Sequence, residues 1–394
     1  MKEYRPIKLF ADAHVFDNEY QGSRTFIKEI YSRLSLKENI ELYLGAYDTE
    51  KLKKVFSNLP SSRFLKYPGR SRFTRLAYHI PYLLKRYKMD YAHFQYILPP
   101  TKSCSYIVSI HDVLFNDYPE EFSLSYRLFK NWLFRRAAHN ADIITTVSAF
   151  SHNSILQHLS PPGMIHTIGN GVNPKYFEEY DRQKSRRYIA EKYNLTKYIL
   201  CVSRFEPRKN QEALVRSFLQ LRLYEQNYHL VLLGHKSLAT PDFDNLMGVL
   251  PEQARKFIFI SSQVDDEDLL EFYRAASLFV YPSKAEGFGI PPLEAAALKI
   301  PVICSNRSSM SSFTFFGEKH IDPCNEQQMN ASIKDILEKK PNEAFLRLIA
   351  ETIRSRYSWD ESAEKLYQII LSHNRTSLRF KSEKYDQPAI TVPL

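Results

Sequence analysis

The chain has 394 residues, 44% hydrophobic and 25% charged, which is enough for two ordinary α/β domains and too long for most single cores. With 54 Lys and Arg against 44 Asp and Glu, its net charge is +10 and its pI about 9.1, a balance that draws a protein toward phospholipid, nucleic acid or polyanionic glycans. Every apolar run is strand-sized, which excludes a bilayer-spanning helix on the sequence alone.

In chain order, the opening "MKEYRPIKLFADAHVFDNEY" is broken by charges and does not read as a secretory signal. The four widely spaced cysteines, Cys104, Cys201, Cys304 and Cys324, are therefore expected to be buried reduced thiols of a cytoplasmic protein. The four N-x-[ST] sequons, at Asn194, Asn306, Asn330 and Asn374, are expected to be chance. Strands are predicted over residues 7–11, 40–47, 91–96, 105–112, 141–148 and 164–172, and then over 197–203, 229–234, 256–262, 277–283 and 301–305. Helical patterns lie between them, among them 23–36, 123–139, 210–223, 266–275 and 292–298. This alternation predicts an α/β protein of two Rossmann-like, doubly wound domains with parallel sheets. The turn signals Asn170-Gly171 and Asn173-Pro174 place the boundary near 175–195. We expect an N-terminal domain over 1–178 and a C-terminal domain over 179–360, then a helix and basic tail over 361–394, the helix packing back toward the N-terminal domain. The cleft between two such domains is the default ligand site.

Residues 63–88 carry Arg63, Lys66, Arg70, Arg72, Arg75, Lys85, Arg86 and Lys88 among aromatic and apolar residues, with no acid. That mixture suits a helix or loop lying on an anionic membrane. "DDED" at 265–268 contains a D-x-D, but it opens a helix, where acids are expected for dipole reasons, so no metal site is predicted there.

The stretch "EGFGIPPLE", Glu286 to Glu294, is the most constrained in the chain. It follows an apolar strand, so Glu286 lies on a loop at the strand's carboxyl end. Pro291 and Pro292 suit a first helical turn, and Glu294 falls in the helix. Gly287 and Gly289 leave the backbone uncrowded, and N–H groups aimed from such a loop form an anion site. Carboxylates repel phosphate but accept strongly from sugar hydroxyls. An anion between two hydroxyl-rich groups is a nucleotide sugar. The required cations lie in "SRFEPRKN", again after a strand, as Arg204 and Lys209, with Arg208 the alternative and expected to face solvent.

These segments resemble the retaining nucleotide-sugar glycosyltransferases of family 4, which have the GT-B fold. The resemblance covers about residues 105 to 370 and rests on "SIHDVLFNDYPEEFS", "ADIITTVSAFS", "IGNGVN", "SRFEPRKN", "EGFGIPPLEA" and "PVICSN" in the family's order. It implies that Glu294 bonds the ribose and that Glu286 contacts hydroxyls of the donor hexose. The N–H groups of Gly287, Phe288 and Gly289 would assist, Ile290 would close the same donor-binding loop, and Arg204 and Lys209 would neutralise the leaving diphosphate. His111 would face the sugar across the cleft, Gly22 would let a helix N-terminus approach the diphosphate, and Val264 would lie near the base. It further implies front-face attack, in which the leaving phosphate takes the acceptor's proton, with no protein nucleophile and no metal or other cofactor. The family's paired glycines read Gln21-Gly22 here, Lys299 stands where a Gly is usual, and Ser312 where a Glu is common. The likeness is greatest to the mannosyltransferases, so the donor expected is GDP-mannose and the acceptor a lipid-linked saccharide at the inner membrane face, as in surface polysaccharide or lipopolysaccharide synthesis. A UDP-sugar transferase or an epimerase of the same fold is the alternative. A nucleic-acid-binding protein is the remote one, and no nucleic-acid partner is expected.

Overall fold

The computed structural model describes residues 5–17, 22–339 and 342–385. Two parallel sheets are flanked by helices. The first has strands β1 (Ile7–Asp12), β2 (Ile40–Ala46), β3 (Phe64–Lys66), β4 (Tyr91–Gln95), β5 (Ser105–Ser109), β6 (Ile143–Thr146) and β7 (Ile165–Thr167). Their order is β3-β2-β1-β4-β5-β6-β7. The second has β8 (Tyr198–Val202), β9 (His229–Leu233), β10 (Ile258–Ser261), β11 (Leu278–Tyr281), β12 (Val302–Ser305) and β13 (His320–Ile321), in the order β10-β9-β8-β11-β12-β13. The central strands β8 and β11 of the second sheet are apolar along their whole length, as strands covered on both faces are, while in the first sheet β1 and β4 also carry Lys8, Asp12, His93 and Gln95. The doubly wound prediction is met in both sheets.

The differences are short elements. β3 and β13, of 3 and 2 residues, carry too little pattern to be read. The strand predicted over 164–172 is confined to Ile165–Thr167, because Gly169, Asn170 and Gly171 end it. Only Cys201 and Cys304 are buried; Cys104 is half-buried and Cys324 exposed, against expectation. The basic tail expected over about the last twenty residues is helical as far as Tyr385, in the helix Trp359–Tyr385; the rest lies outside the described residues.

The chain forms two compact units, one of residues 5–107 with 359–385, the other of residues 108–358. In the first, the helix Gly22–Leu34 packs against the helix Trp359–Tyr385: Trp359 is buried edge-to-face on Phe26 at 6.2 Å, and Arg33 reaches Asp360 at 2.8 Å. Of the basic segment 63–88, Arg63 turns to Glu41, and the buried Arg75 lies 3.6 Å from Asp12. Phe73, Tyr78 and Tyr82 are exposed. Among the described residues no helix is long and apolar enough to cross a membrane.

Candidate functional site

In the second sheet β8 lies between β9 and β11, so the chain reverses its winding between β8 and β11. The loops after these two strands are neighbours at their carboxyl ends, the position where open α/β sheets bind ligands. They are "SRFEPRKN" and "EGFGIPPLE".

The first loop turns sharply. Pro207–Lys209 is a single 3-10 turn closed by the Lys209 N–H on the Glu206 carbonyl, and Asn210 follows in the left-handed region at φ 59°. Asn210 is tied to the carbonyls of Pro282 and Pro323, which fixes the turn against the end of β11. The turn brings both Arg208 and Lys209 inward. Lys209 Nζ bonds Glu286 and, at 3.1 Å, the Tyr281 hydroxyl. Arg208 donates to Glu286 Oε2 at 3.1 Å and to the Ala285 carbonyl at 2.6 Å, and pairs with Glu206 at 2.6 Å. The expectation that Arg208 faces solvent is therefore corrected: its side chain is 11% exposed, because a three-residue turn cannot aim two adjacent cations in opposite directions and still satisfy two buried glutamates. Arg204 is the open cation, 41% exposed, and holds Glu206 at 2.9 Å.

Burial pulls the carboxyl of Glu286 up, but Lys209 and Arg208 outweigh it and hold the group down at about 2. Lys209 is pushed down by burial and by Arg208. We read the pair as ionised, because each charge is the other's compensation in a dry site. Glu206 is likewise buried and held low against burial by Arg208 and Arg204. It also accepts from the Ser237 hydroxyl at 2.7 Å. No role for Glu206 was read from the sequence, although a lone acid among three cations within six residues was a usable signal.

The second loop is pinned by its carbonyls. Ser309 Oγ donates to the carbonyls of Glu286 and Phe288, each at 2.8 Å. Ser148 and Ser151 donate to that of Gly287 at 2.7 and 3.2 Å. The Glu286 N–H donates to Ser308 Oγ. The N–H groups of Gly287, Phe288 and Gly289, by contrast, donate to no acceptor among the described residues. Ser148 is also the N-cap of the helix Ala149–Leu159, so one hydroxyl both starts that helix and holds the loop. These four serines are spread over the chain, and no spacing in the sequence marks them.

The two glycines are required for different reasons. A Cβ on Gly287 would stand 3.0 Å from Asp112 Cβ, Asp112 Oδ2 and the His111 carbonyl. Gly289, the N-cap of the helix Ile290–Ala297, has φ +97°, and a Cβ there would press on Met310. Pro291 and Pro292 occupy the helix start. The close approach at Gly287 puts "HD" beside the glutamate loop within one compact unit. His111 is buried, and burial lowers it to about 4, so the ring is neutral at physiological pH. Asp112 is raised by burial against the pull of Arg208.

Glu294 lies in the helix, accepting from the Tyr273 hydroxyl at 3.1 Å. Burial raises it to about 7, only partly opposed by that bond and by Lys175. Val264 is half-buried against the same apolar cluster as Phe288. Gly22 opens a helix of the first unit with clear space where a Cβ would be. Gln21, before it, lies outside the described residues. "DDED" caps a helix: Asp265 accepts from the N–H groups of Glu267 and Asp268, and Asp268 is buried under Lys192, Tyr188 and Tyr193.

Chemically, the two loops offer a row of open backbone donors, three cations of which one faces solvent, and three carboxylates: Glu206 is held among the cations, and the other two are of opposite character. Glu286 is locked in its ionised form, and Glu294 is poised near neutrality.

A family model described as Glycosyltransferase Family 4 matches residues 22–176, and one described as Glycosyl transferases group 1 matches residues 182–354. Over 341 residues the chain is 26% identical to the O-antigen chain mannosyltransferase B of Escherichia coli, covering 80% of this chain and 87% of that protein. In structure it is similar to sucrose-phosphate synthase from Thermosynechococcus elongatus, with a TM-score of 0.72 at 19% identity, covering 95% of this chain and 100% of that one. It is also similar to Anabaena HepE in complex with UDP-glucose, with a TM-score of 0.71 at 13% identity, covering 93% of this chain and 100% of that one.

Proposed function

The chain belongs to the GT-B glycosyltransferases, and from that premise we propose that it transfers mannose from GDP-mannose, with retention, to a lipid-linked saccharide in surface polysaccharide synthesis at the inner face of the cytoplasmic membrane. The observation that carries the reading is the loop Glu286–Gly289: the carbonyls of Glu286, Gly287 and Phe288 are held by serines, the N–H groups of Gly287, Phe288 and Gly289 are open, and Glu286 binds Arg208 and Lys209, with Arg204 on their neighbour Glu206. The choice of mannose is supported by the O-antigen mannosyltransferase relative.

In this reading the diphosphate lies on the open N–H groups and Arg204, with Lys209 and Arg208 behind. The acceptor oxygen bonds the anomeric carbon as the bond to the diphosphate oxygen breaks, and the acceptor's proton passes to that phosphate oxygen. Positive charge fixed where the leaving group gathers negative charge lowers this barrier, and it needs no rearrangement in the step. Glu286 has two tasks: it accepts from hexose hydroxyls, and it holds the two buried cations in register. Glu294 accepts from the ribose hydroxyls. Neutral His111 contacts the sugar. The cations take the place of a metal, and none is proposed. The site residues named for the donor in the second unit are thus Arg204, Lys209, Val264, Glu286, Gly287, Phe288, Gly289, Ile290 and Glu294.

The test is a thermal-shift and slow-hydrolysis screen with GDP-mannose, GDP-fucose, UDP-glucose and UDP-GlcNAc, without metal. A shift with GDP-mannose alone, lost in Lys209→Ala and Glu294→Ala, is the expected result. A shift confined to a UDP-sugar overturns the donor, and no shift with any nucleotide sugar overturns the site.

A further inference from the structure

In the first unit a groove of about 480 Å³ runs between the edge strand β3 and the helical segment 72–86. None of the site residues named above lines it. One wall is β3 itself, which ends its sheet, so its outer edge pairs with no strand among the described residues. The other wall is shaped by a proline. Pro81 has no N–H for a carbonyl four residues back. The chain answers with one π-helical turn, Arg75–His79, closed by the Ile80 N–H on the Arg75 carbonyl, and then resumes as the α-helical turns Ile80–Arg86. Tyr78, Tyr82 and Arg86 follow at steps of four, one above the next, and all three line the groove. The tyrosines are 65% and 58% exposed. Arg86 donates to the Tyr82 hydroxyl at 2.9 Å and lies over the rings of Tyr82 and Tyr87. That bond uses one nitrogen of the guanidinium and leaves most of its donors free. Neither Arg86 nor Lys66, on the β3 wall, forms an ion pair among the described residues, and residues 63–88 hold no acid. The buried Nδ1 of His79, also on the wall, has no hydrogen-bond partner among the described residues.

We propose that this groove binds a glycan bearing acidic groups: its rings lie on Tyr78 and Tyr82, its hydroxyls bond the tyrosine hydroxyls and the free edge of β3, and Arg86 with Lys66 takes a carboxylate or phosphate. Tyrosine presents an apolar face and a polar tip, and a sugar ring presents the same pair of surfaces in return. A linear row of two aromatic platforms ending in a cation suits linked rings rather than one compact ligand. Every charged group on the walls is basic, so the occupant that complements them is an anion. The sequence alone suited this segment to a membrane. The structure folds it into a concave wall of hydroxyls and cations, whereas insertion into a bilayer calls for a protruding apolar face. The unsatisfied nitrogen of His79 is a polar demand that an acyl chain does not meet. The inference goes beyond the proposed function and rests on it only for the source of the glycan, a polysaccharide under synthesis.

The test titrates full-length protein by calorimetry with an oligomannuronate, a neutral oligomannose of the same length, GMP and inorganic phosphate. The expected result is binding of the oligomannuronate, weakened by salt, and weaker binding of the neutral oligomer. Tyr78→Ala/Tyr82→Ala is expected to weaken both oligomers by about tenfold or more, through the lost ring faces. Lys66→Ala/Arg86→Ala is expected to weaken the acidic oligomer alone, by about tenfold. These side chains are exposed, so both variants keep the wild-type melting temperature. Phosphate or GMP binding as tightly as the oligomannuronate overturns the proposal in favour of a simple anion or nucleotide site. Equal affinity for the neutral oligomer overturns the acidic part of it, and undiminished binding in both variants overturns the location. No oligosaccharide binding, together with sedimentation on phosphatidylglycerol vesicles that Tyr78→Ala/Tyr82→Ala abolishes, overturns it in favour of lipid. The donor screen contains no glycan and this titration no nucleotide sugar, so either reading can fail alone.

Discussion

Each unit buries a carboxylate at or just past a strand's carboxyl end, and the two sites use the same parts to different ends. In the first unit Asp12, the last residue of β1, accepts from the Tyr67 hydroxyl at 2.9 Å, with His14 Nδ1 at 3.1 Å and Arg75 at 3.6 Å. Burial raises it, but His14 and Arg75 outweigh burial and hold it well below the usual carboxylate range. Glu286 in the second unit also has a tyrosine hydroxyl and an arginine, yet it adds Lys209 and an open row of N–H groups, and Arg204 stands half in solvent nearby. Around Asp12 the charge is held by side chains. Around Glu286 a row of loop N–H groups stands open as well, and a row of open backbone donors is a surface on which an anion can lie.

The sharpest way to break this comparison is to remove each carboxylate. Glu286→Gln is expected to lower turnover about 100-fold or more while the chain still folds, measured as transfer or donor hydrolysis. Asp12→Ala is expected to cost about 3–5 kcal/mol of stability in urea, through uncompensated Arg75, and to keep the donor thermal shift. Equal loss of donor shift in both variants would erase the distinction. Next is Gly287→Ala, whose Cβ presses the loop away from Asp112 and the His111 carbonyl. Turnover is expected to fall about tenfold to 100-fold through misplacement, with a small change in melting temperature.

The pH dependence sharpens the comparison further. Glu294, raised to about 7, resists ionisation in the folded chain. Between its unfolded value and about 7 the native state binds the extra proton, so this group's contribution to stability declines as pH rises through that window. Donor binding has the opposite sign, because the ribose needs the carboxylate. Affinity by calorimetry is expected to weaken about tenfold from pH 8 to pH 6, and Glu294→Gln to flatten that slope. Asp12, held low, adds stability that is present above its unfolded value and is lost only in strong acid; Asp12→Asn removes that acid limb. The smallest effect is expected from Ser309→Ala, a fewfold loss of turnover, since Ser148, Ser151 and Ser308 still hold the loop.

Both sheets were legible because their strands are apolar runs between helical patterns, and that needs only local periodicity. The glutamate loop was legible because glycine, proline and acid each restrict the backbone or charge in a recognisable way. What was not legible depends on partners distant in sequence. Ser148 and Gly287 are 139 residues apart, and nothing about either announces the other. Arg208 was misjudged because a basic residue in a charged turn reads as solvated unless the buried acids on both sides, Glu206 and Glu286, are known to converge on it. The groove beside β3 was read only as a basic, aromatic segment, since a cavity is a property of packing that composition does not give.

The return of the last helix to the first unit has a consequence for synthesis. Trp359, Asp360 and Glu364 complete a surface begun by Phe26, Arg33 and Lys37, more than three hundred residues earlier. On the ribosome the second unit has all its residues first, while the first unit waits, with Phe26 and its neighbours uncovered, until that helix emerges. Nascent chains released before that helix would carry an unfinished first unit, and chaperones would be expected to hold the first unit rather than the second.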